Sequence, residues 1–223
     1  SNPRTSNQMF GRMVMSTVMQ AVSALKPIID HSFDGIAKGQ PSISEFIREN
    51  YALVKADAIA HPARSNKFGL NKYQEKGAKG GAYVIAKGTA VVPDALTANS
   101  IALNIQLTAT TLTVGGLKAA LGLSADGYAT YVALNETQQA LIFRVKVSTT
   151  LADETAITAD NVASLFSVEG NVPVEIGLNE NKIYFQYDSE TSVYSYGIIV
   201  SDLVDGSWKH NNATMVTEDN VFW

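Results

Sequence analysis

The spacing of apolar residues changes near residue 80 of this 223-residue chain. Before that point apolar side chains recur every three or four residues, which is the repeat of one helix face. Beyond it they alternate with polar residues, as along a strand that has one buried face. The chain is therefore expected to be α+β, with an N-terminal helical hairpin packed on a mostly antiparallel β-sandwich or open barrel.

Capping signals predict the two N-terminal helices. Thr5 opens an S/T-x-x-E/Q capping box, which predicts a helix that begins immediately after it. Pro27 is expected to interrupt or restart this helix, because proline has no N–H to donate. Ser42 opens a second capping box and predicts a second helix over residues 43–60.

The pattern divides the chain into three segments. Residues 1–65 form the helical hairpin, and residues 66–81, rich in glycine and lysine, are expected to form a basic loop or linker. Residues 82–223 are expected to form a mainly β domain. Within it, apolar residues at helical spacing predict two short helices, over residues 114–121 and 159–166.

The net charge of −4 conceals a difference between the two ends of the chain. Residues 1–80 carry 11 basic and 6 acidic side chains, whereas the remaining residues carry 6 basic and 15 acidic ones. Such asymmetry can indicate that the first part of the chain binds an anionic partner. It can also indicate head-to-tail contacts, in which the basic end of one copy meets the acidic face of another. Two segments with ordinary solvated surfaces would give the same counts.

Several classes of function lack their motifs. The chain has no cysteine, which excludes disulfides, thiol nucleophiles and cysteine-ligated metals. The three histidines share no motif, and no HExxH, G-x-S-x-G or phosphate-loop pattern occurs. No stretch approaches the roughly 18 uninterrupted apolar residues of a membrane span. We therefore expect a non-enzymatic protein without a cofactor, a metal or a membrane span.

Methionines are concentrated in the first predicted helix and spread over more than one of its faces. A helix that is apolar over more than one face needs more than one partner, and thioether side chains adapt to varied surfaces. Burial against the protein's own β domain explains part of this pattern. The candidate contact with a neighbouring copy consists of Met9, Met13, Met15 and Met19.

The glycine- and lysine-rich segment is a candidate nucleic-acid contact. Lysines bind phosphates, and the interleaved Phe68 and Tyr73 could stack on bases. The sequence pI near 5.4 argues against a dedicated nucleic-acid binder, so this partner is not favoured. The candidate anion contact consists of Lys67, Lys72, Lys76 and Lys79.

Aromatic residues near the C-terminus form a third candidate surface. Trp208 follows Asp205-Gly206, a two-residue signal for a tight β-hairpin. With Tyr194 and Tyr196 it could form an aromatic surface that binds carbohydrate or another surface, although such residues are more often part of a core.

Several stretches of the sequence resemble a known family. They are Asn2-Pro3-Arg4-Thr5, the stretch that ends in Phe33-Asp34-Gly35, Ile85-Ala86-Lys87-Gly88-Thr89, and Tyr196-Gly-Ile-Ile-Val-Ser201 followed by Asp205-Gly-Ser-Trp208. The chain thereby resembles a Bacteroidetes and mobile-element family of unknown function, with an N-terminal NPRT signature and a C-terminal Gly…Ser…Gly-x-Trp hairpin. The resemblance implies no established activity. Its association with phage-like elements implies a virion or filament subunit.

Together these observations favour a non-enzymatic structural or assembly subunit, of a phage-like particle or filament, that forms homo-oligomers. The first alternative is a nucleic-acid-binding accessory protein of a mobile element. The second is a surface- or carbohydrate-binding β-module. A virion or the cytoplasm is favoured over secretion as the location.

Overall fold

The computed structural model describes residues 5–60, 81–135, 140–188 and 193–217. Over these residues the expected α+β class is confirmed: two N-terminal helices pack on a mostly antiparallel region made of several sheets. Apart from Gly81, the predicted basic loop lies outside the described residues.

The first helix, α1 (Ser6–Ile29), begins at the predicted capping box. The Thr5 hydroxyl accepts a hydrogen bond from the backbone N–H of Gln8, and the Gln8 side chain accepts one from the Thr5 backbone, both at 3.3 Å. The expected interruption at Pro27 is wrong, because the helix continues through it to Ile29. Pro27 lies two residues before the end of α1, and its missing N–H costs the helix one backbone hydrogen bond.

The second helix, α2 (Gln40–Ala60), begins earlier than the capping signal predicts. Gly39 adopts a positive φ of 90° just before it, and the Ser42 hydroxyl donates to the Gly39 carbonyl at 2.7 Å. Ser42 therefore lies within the first turn instead of capping it. The third helix, α3 (Val114–Leu121), has the predicted bounds. The other predicted short helix, over residues 159–166, is in the structure a single 3₁₀ turn, Val162–Leu165.

Twelve strands are present in the described part of the chain. In order they are β1 (Val84–Ala86), β2 (Leu96–Ala98), β3 (Ala102–Gln106), β4 (Tyr128–Asn135), β5 (Ala140–Val147), β6 (Phe166–Gly170), β7 (Glu175–Asn179), β8 (Lys182–Gln186), β9 (Val193–Val204), β10 (Ser207–His210), β11 (Ala213–Thr214) and β12 (Val216–Thr217).

These strands form a central sheet and a second sheet. The central sheet has the order β10-β9-β4-β5-β6, with β12 paired to β9, and the second has the order β2-β3-β8-β7. β1 and β11 form a separate pair. The predicted turn between β9 and β10 is confirmed, since Asp205 and Gly206 both have positive φ angles, of 51° and 77°.

The central sheet is covered on both faces. Along β4, Val132 and Leu134 pack with the helices, whereas Tyr131 and Ala133 pack with the second sheet. This alternation follows from the two-residue period of a strand. The two N-terminal helices and the central sheet thus share one core, and the two sheets share another.

Neither long helix, within the described ranges, is apolar enough over a sufficient length to cross a membrane.

Candidate functional site

A cleft of about 460 Å³ opens between the segment that follows α1, residues 30–38, and one end of the central sheet. Its floor is formed by side chains of three strands: Tyr128 of β4, Arg144 of β5, and Trp208 and His210 of β10. The cleft therefore lies on the face of the sheet that the helices cover elsewhere.

Strand register aligns the residues of the cleft floor. Tyr128 is paired with Ser201 of β9, and Ser201 is paired with His210 of β10, so these three form one row across the sheet. Directly opposed residues project from the same face of a sheet. A smaller space of about 70 Å³, lined by Ser201 and Thr130 among others, adjoins the cleft beneath His210.

The aromatic side chains of the cleft pack against each other. The ring of Trp208 lies 5.5 Å from that of Tyr128, at an interplanar angle of 54°. The guanidinium carbon of Arg144 lies 4.9 Å from the centre of the Tyr128 ring, which is within the range of a cation–π contact. Trp208 is nevertheless 42% exposed, so part of its ring system remains available to a ligand.

A buried pair, Asp34 and His210, forms the inner wall of the cleft. One Asp34 carboxylate oxygen accepts hydrogen bonds from the His210 backbone N–H at 2.8 Å and engages the Nδ1 atom of its ring at 2.9 Å. The other accepts from the Thr89 N–H at 3.3 Å. The His210 side chain is only 8% exposed. Asp34 therefore fixes the orientation of the imidazole ring.

The Asp34–His210 pair lies where three distant stretches of the chain meet. Ser32 donates to the Ile85 carbonyl at 2.6 Å, and Asn212 accepts from the Gly88 N–H at 3.2 Å. A methyl group on Gly88 would overlap the His210 carbonyl and the Asp34 carboxylate. Glycine is thus required there for close packing.

Charged groups in the cleft are balanced in sign. The cleft is lined by the carboxylates of Asp30 and Asp34, by the cations of Lys38 and Arg144, and by His31. The two carboxylates balance the two cations, so the cleft has no net charge that would select strongly for an anion or a cation.

Ser201 and His210 do not form a nucleophile–base pair. Ser201 is paired with His210 across two strands, but among the described residues no hydrogen bond joins its hydroxyl to the imidazole ring. A serine nucleophile needs such a contact with its base. Within the same residues, no group of three or more acidic or histidine side chains is placed to hold a metal ion.

The structure separates the four methionines of the candidate oligomer contact. The prediction that Met13 contacts a neighbouring copy is wrong. Met13 is 1% exposed and packs in the core that the helices share with the central sheet. Met9 is half-buried. Met15 and Met19 are exposed, and their spacing of four residues places them together on the outer side of α1.

The other predicted site residues are also separated. Tyr196 is partly buried and packs against the core between the two sheets, so only part of its ring is exposed. Trp208 is opposite Leu203, which is nine residues along β9 from Tyr194, a distance of about 30 Å. One small ligand cannot contact both. The four candidate anion-binding lysines, Lys67, Lys72, Lys76 and Lys79, lie outside the described residues.

Sequence reasoning missed most of the cleft. Asp34 and His210 are 176 positions apart, and the motif search left both unassigned. Tyr128 and Arg144 come together through the register of β4 and β5, which the sequence does not encode locally. Of the cleft residues, the sequence pattern indicates only Trp208, as a candidate aromatic surface residue next to the Asp205-Gly206 turn signal. None of the family models, curated proteins or solved structures that were compared with the chain matches it.

Proposed function

We propose that this protein is a non-enzymatic binding module that takes a neutral sugar in the cleft between residues 30–38 and the central sheet. The observation that carries the proposal is the partly exposed Trp208, held against Tyr128 at the edge of a polar, charge-balanced cleft.

Sugar chemistry matches both parts of this cleft. One face of a pyranose ring presents C–H groups that pack on the electron-rich face of an aromatic ring, here Trp208. Its hydroxyl groups both donate and accept hydrogen bonds, so they suit a lining that combines carboxylates with the cations of Arg144 and Lys38. The volume of about 460 Å³ falls within the range of small-molecule pockets, roughly 300–1,000 Å³.

The charge balance also disfavours the nucleic-acid alternative at this position. Phosphate binding depends on clustered cations, and Asp30 and Asp34 would repel a polyanion that enters the cleft. A nucleic-acid contact would have to use the lysine-rich segment of residues 66–81.

Tryptophan fluorescence offers a direct test. The chain has two tryptophans, so in a Trp223→Phe background the emission reports Trp208 alone. Titration with neutral mono- and disaccharides is expected to shift that emission, and a glycan array identifies the preferred ring. In calorimetric titrations, Trp208→Ala should weaken binding about tenfold, corresponding to about 1.4 kcal/mol.

Tyr194→Ala is the matched control, because it removes another exposed aromatic residue of the same sheet outside the cleft. It should leave affinity unchanged. A silent glycan array, or equal losses in the two variants, would eliminate the proposal.

A second candidate function is the assembly subunit, which the exposed methionines favour. Met15 and Met19 are 39% and 41% exposed on a helix whose opposite side is already packed in the core. We expect sedimentation velocity to show concentration-dependent self-association that a Met15→Gln/Met19→Gln double variant abolishes. Val91→Gln, at a residue that is 82% exposed elsewhere, should not change it. A wild-type chain that stays monomeric at high concentration, in low and high salt, contradicts assembly.

A further inference from the structure

A second space lies on the opposite face of the central sheet, between it and the second sheet. It has a volume of about 360 Å³ and is bounded by β2, β3, α3 and the adjoining ends of β4 and β5. Its inner wall is aliphatic, with Leu96, Leu103 and Leu121 facing Ala129 and Val145. It shares no lining residue with the sugar cleft.

The cavity follows from the sizes of paired side chains. One row of β4 and β5 pairs Tyr131 with Phe143, whose rings stack at 5.0 Å and fill the space between the sheets. The next inward-facing row pairs Ala129 with Val145, which are much smaller. The two sheets cannot close over this smaller row because the aromatic row keeps them apart, and a cavity remains.

An aliphatic wall disfavours water as the occupant. A buried water needs two to four polar partners. The inner wall presents aliphatic side chains on hydrogen-bonded strands, so the polar groups are confined to the mouth, at Lys118, Ser124 and Thr149.

The mouth of the cavity carries a single cation among its lining residues, Lys118. Its Nζ atom lies 3.3 Å from Asp153 Oδ1, and both side chains are largely exposed. Ion pairs of this kind contribute little stability, so the ammonium group can exchange Asp153 for another carboxylate.

We propose that this cavity binds a single-chain amphiphile with an anionic head, such as a medium-chain fatty acid. The aliphatic tail occupies the space between the sheets, and the carboxylate pairs with Lys118 at the mouth. A water molecule takes up about 30 Å³ in the liquid, and a methylene group is of similar size, so the volume accommodates a chain of roughly ten to twelve carbons.

Calorimetric titration of the full chain tests tail and head separately, with decanoate below its critical micelle concentration and with 1-decanol below its solubility limit. Both should bind with one-to-one stoichiometry. Lys118→Gln should weaken decanoate two- to fivefold, within the range of exposed ion pairs, and leave decanol unchanged. Lys146→Gln is the matched control: this lysine also pairs with an exposed aspartate, Asp126, but does not line the cavity.

Ala129→Leu tests the position of the tail, because the added carbons fill the inner space. Affinity for both ligands should fall more than tenfold while the Tm is kept or raised, a combination that unfolding cannot produce. If that variant lowers the Tm, Val145→Phe fills the same space from β5. An absence of binding by both probes, or unchanged affinity in a stable filled variant, overturns the proposal.

Discussion

Asp34→Ala should destabilise the protein strongly, because Asp34 fixes the segment after α1 to the edge strand β10. Its carboxylate takes up three donors: the His210 backbone N–H, the His210 ring and the Thr89 N–H. Thr89 is exposed, so water can replace that bond, whereas His210 is buried. Two buried donors without partners cost about 1–3 kcal/mol each.

Water can partly reach the site, since the Asp34 side chain is 14% exposed, and this lowers the expected loss to about 3 kcal/mol. For a chain of this size the loss corresponds to a Tm lower by about 6–12 °C. Urea denaturation followed by circular dichroism measures it. Asp34→Asn keeps one acceptor oxygen and should lose about half as much.

Asp126→Ala provides the control for loss of an ion-paired aspartate. Its carboxylate is 63% exposed and lies 3.6 Å from Lys146, so its removal should cost less than about 0.5 kcal/mol. If Asp34→Ala costs no more than Asp126→Ala, Asp34 does not hold the segment in place, and the described geometry of the cleft wall is refuted.

Three further predictions concern single positions. Gly88→Ala should lower the free energy of unfolding by more than about 2 kcal/mol, because the methyl group overlaps the backbone of β10. Gly11→Ala, in an open part of α1, should raise it by about 0.5–1 kcal/mol. Equal effects of the two substitutions in thermal unfolding would contradict this. Asn50→Ala should lower the free energy of unfolding, measured by urea denaturation, by about 2–4 kcal/mol, because the buried amide of Asn50 pairs with both the N–H and the carbonyl of Val84. A loss below about 1 kcal/mol would argue against that contact. Burial, together with the hydrogen bond that its hydroxyl shares with the Tyr187 hydroxyl, raises the pKa of Tyr131. Its contribution to stability is therefore complete below the unfolded value near 10 and is lost as pH rises further. The free energy of unfolding measured from pH 9 to 11 should therefore fall less steeply in Tyr131→Phe, by up to about 1.4 kcal/mol per pH unit, and identical slopes would refute the assignment.

Elements with local signals were predictable from the sequence. α3 has its predicted bounds because Thr113 caps its first turn through a 3.0 Å hydrogen bond and Gly122 ends it with a φ of 61°. The start of α1 and the turn at Asp205-Gly206 follow in the same way from residues a few positions apart.

Features that depend on distant contacts were not predictable. The C-terminal segment reads as one strand over residues 207–216, but it is broken into β10, β11 and β12. The Asn211 side chain takes the place of a peptide group there, accepting from the Val200 N–H at 2.7 Å and donating to the Ile198 carbonyl at 3.2 Å. β2, with a single fully buried residue, was missed because it has no alternating pattern to detect.

The two proposed sites can be tested independently because they lie back to back on the same strands. Tyr128 and Arg144 face the sugar cleft, whereas their immediate neighbours Ala129 and Val145 face the apolar cavity. Successive side chains of a strand project to opposite faces, so each site can change without replacing a lining residue of the other. Substitutions that share no partner combine additively to within about 0.3–0.5 kcal/mol. The Trp208→Ala/Ala129→Leu double variant should therefore lose sugar and decanoate binding by the same factors as the single variants. A larger departure would mean that filling the cavity shifts β4, and that occupancy of one site alters the affinity of the other.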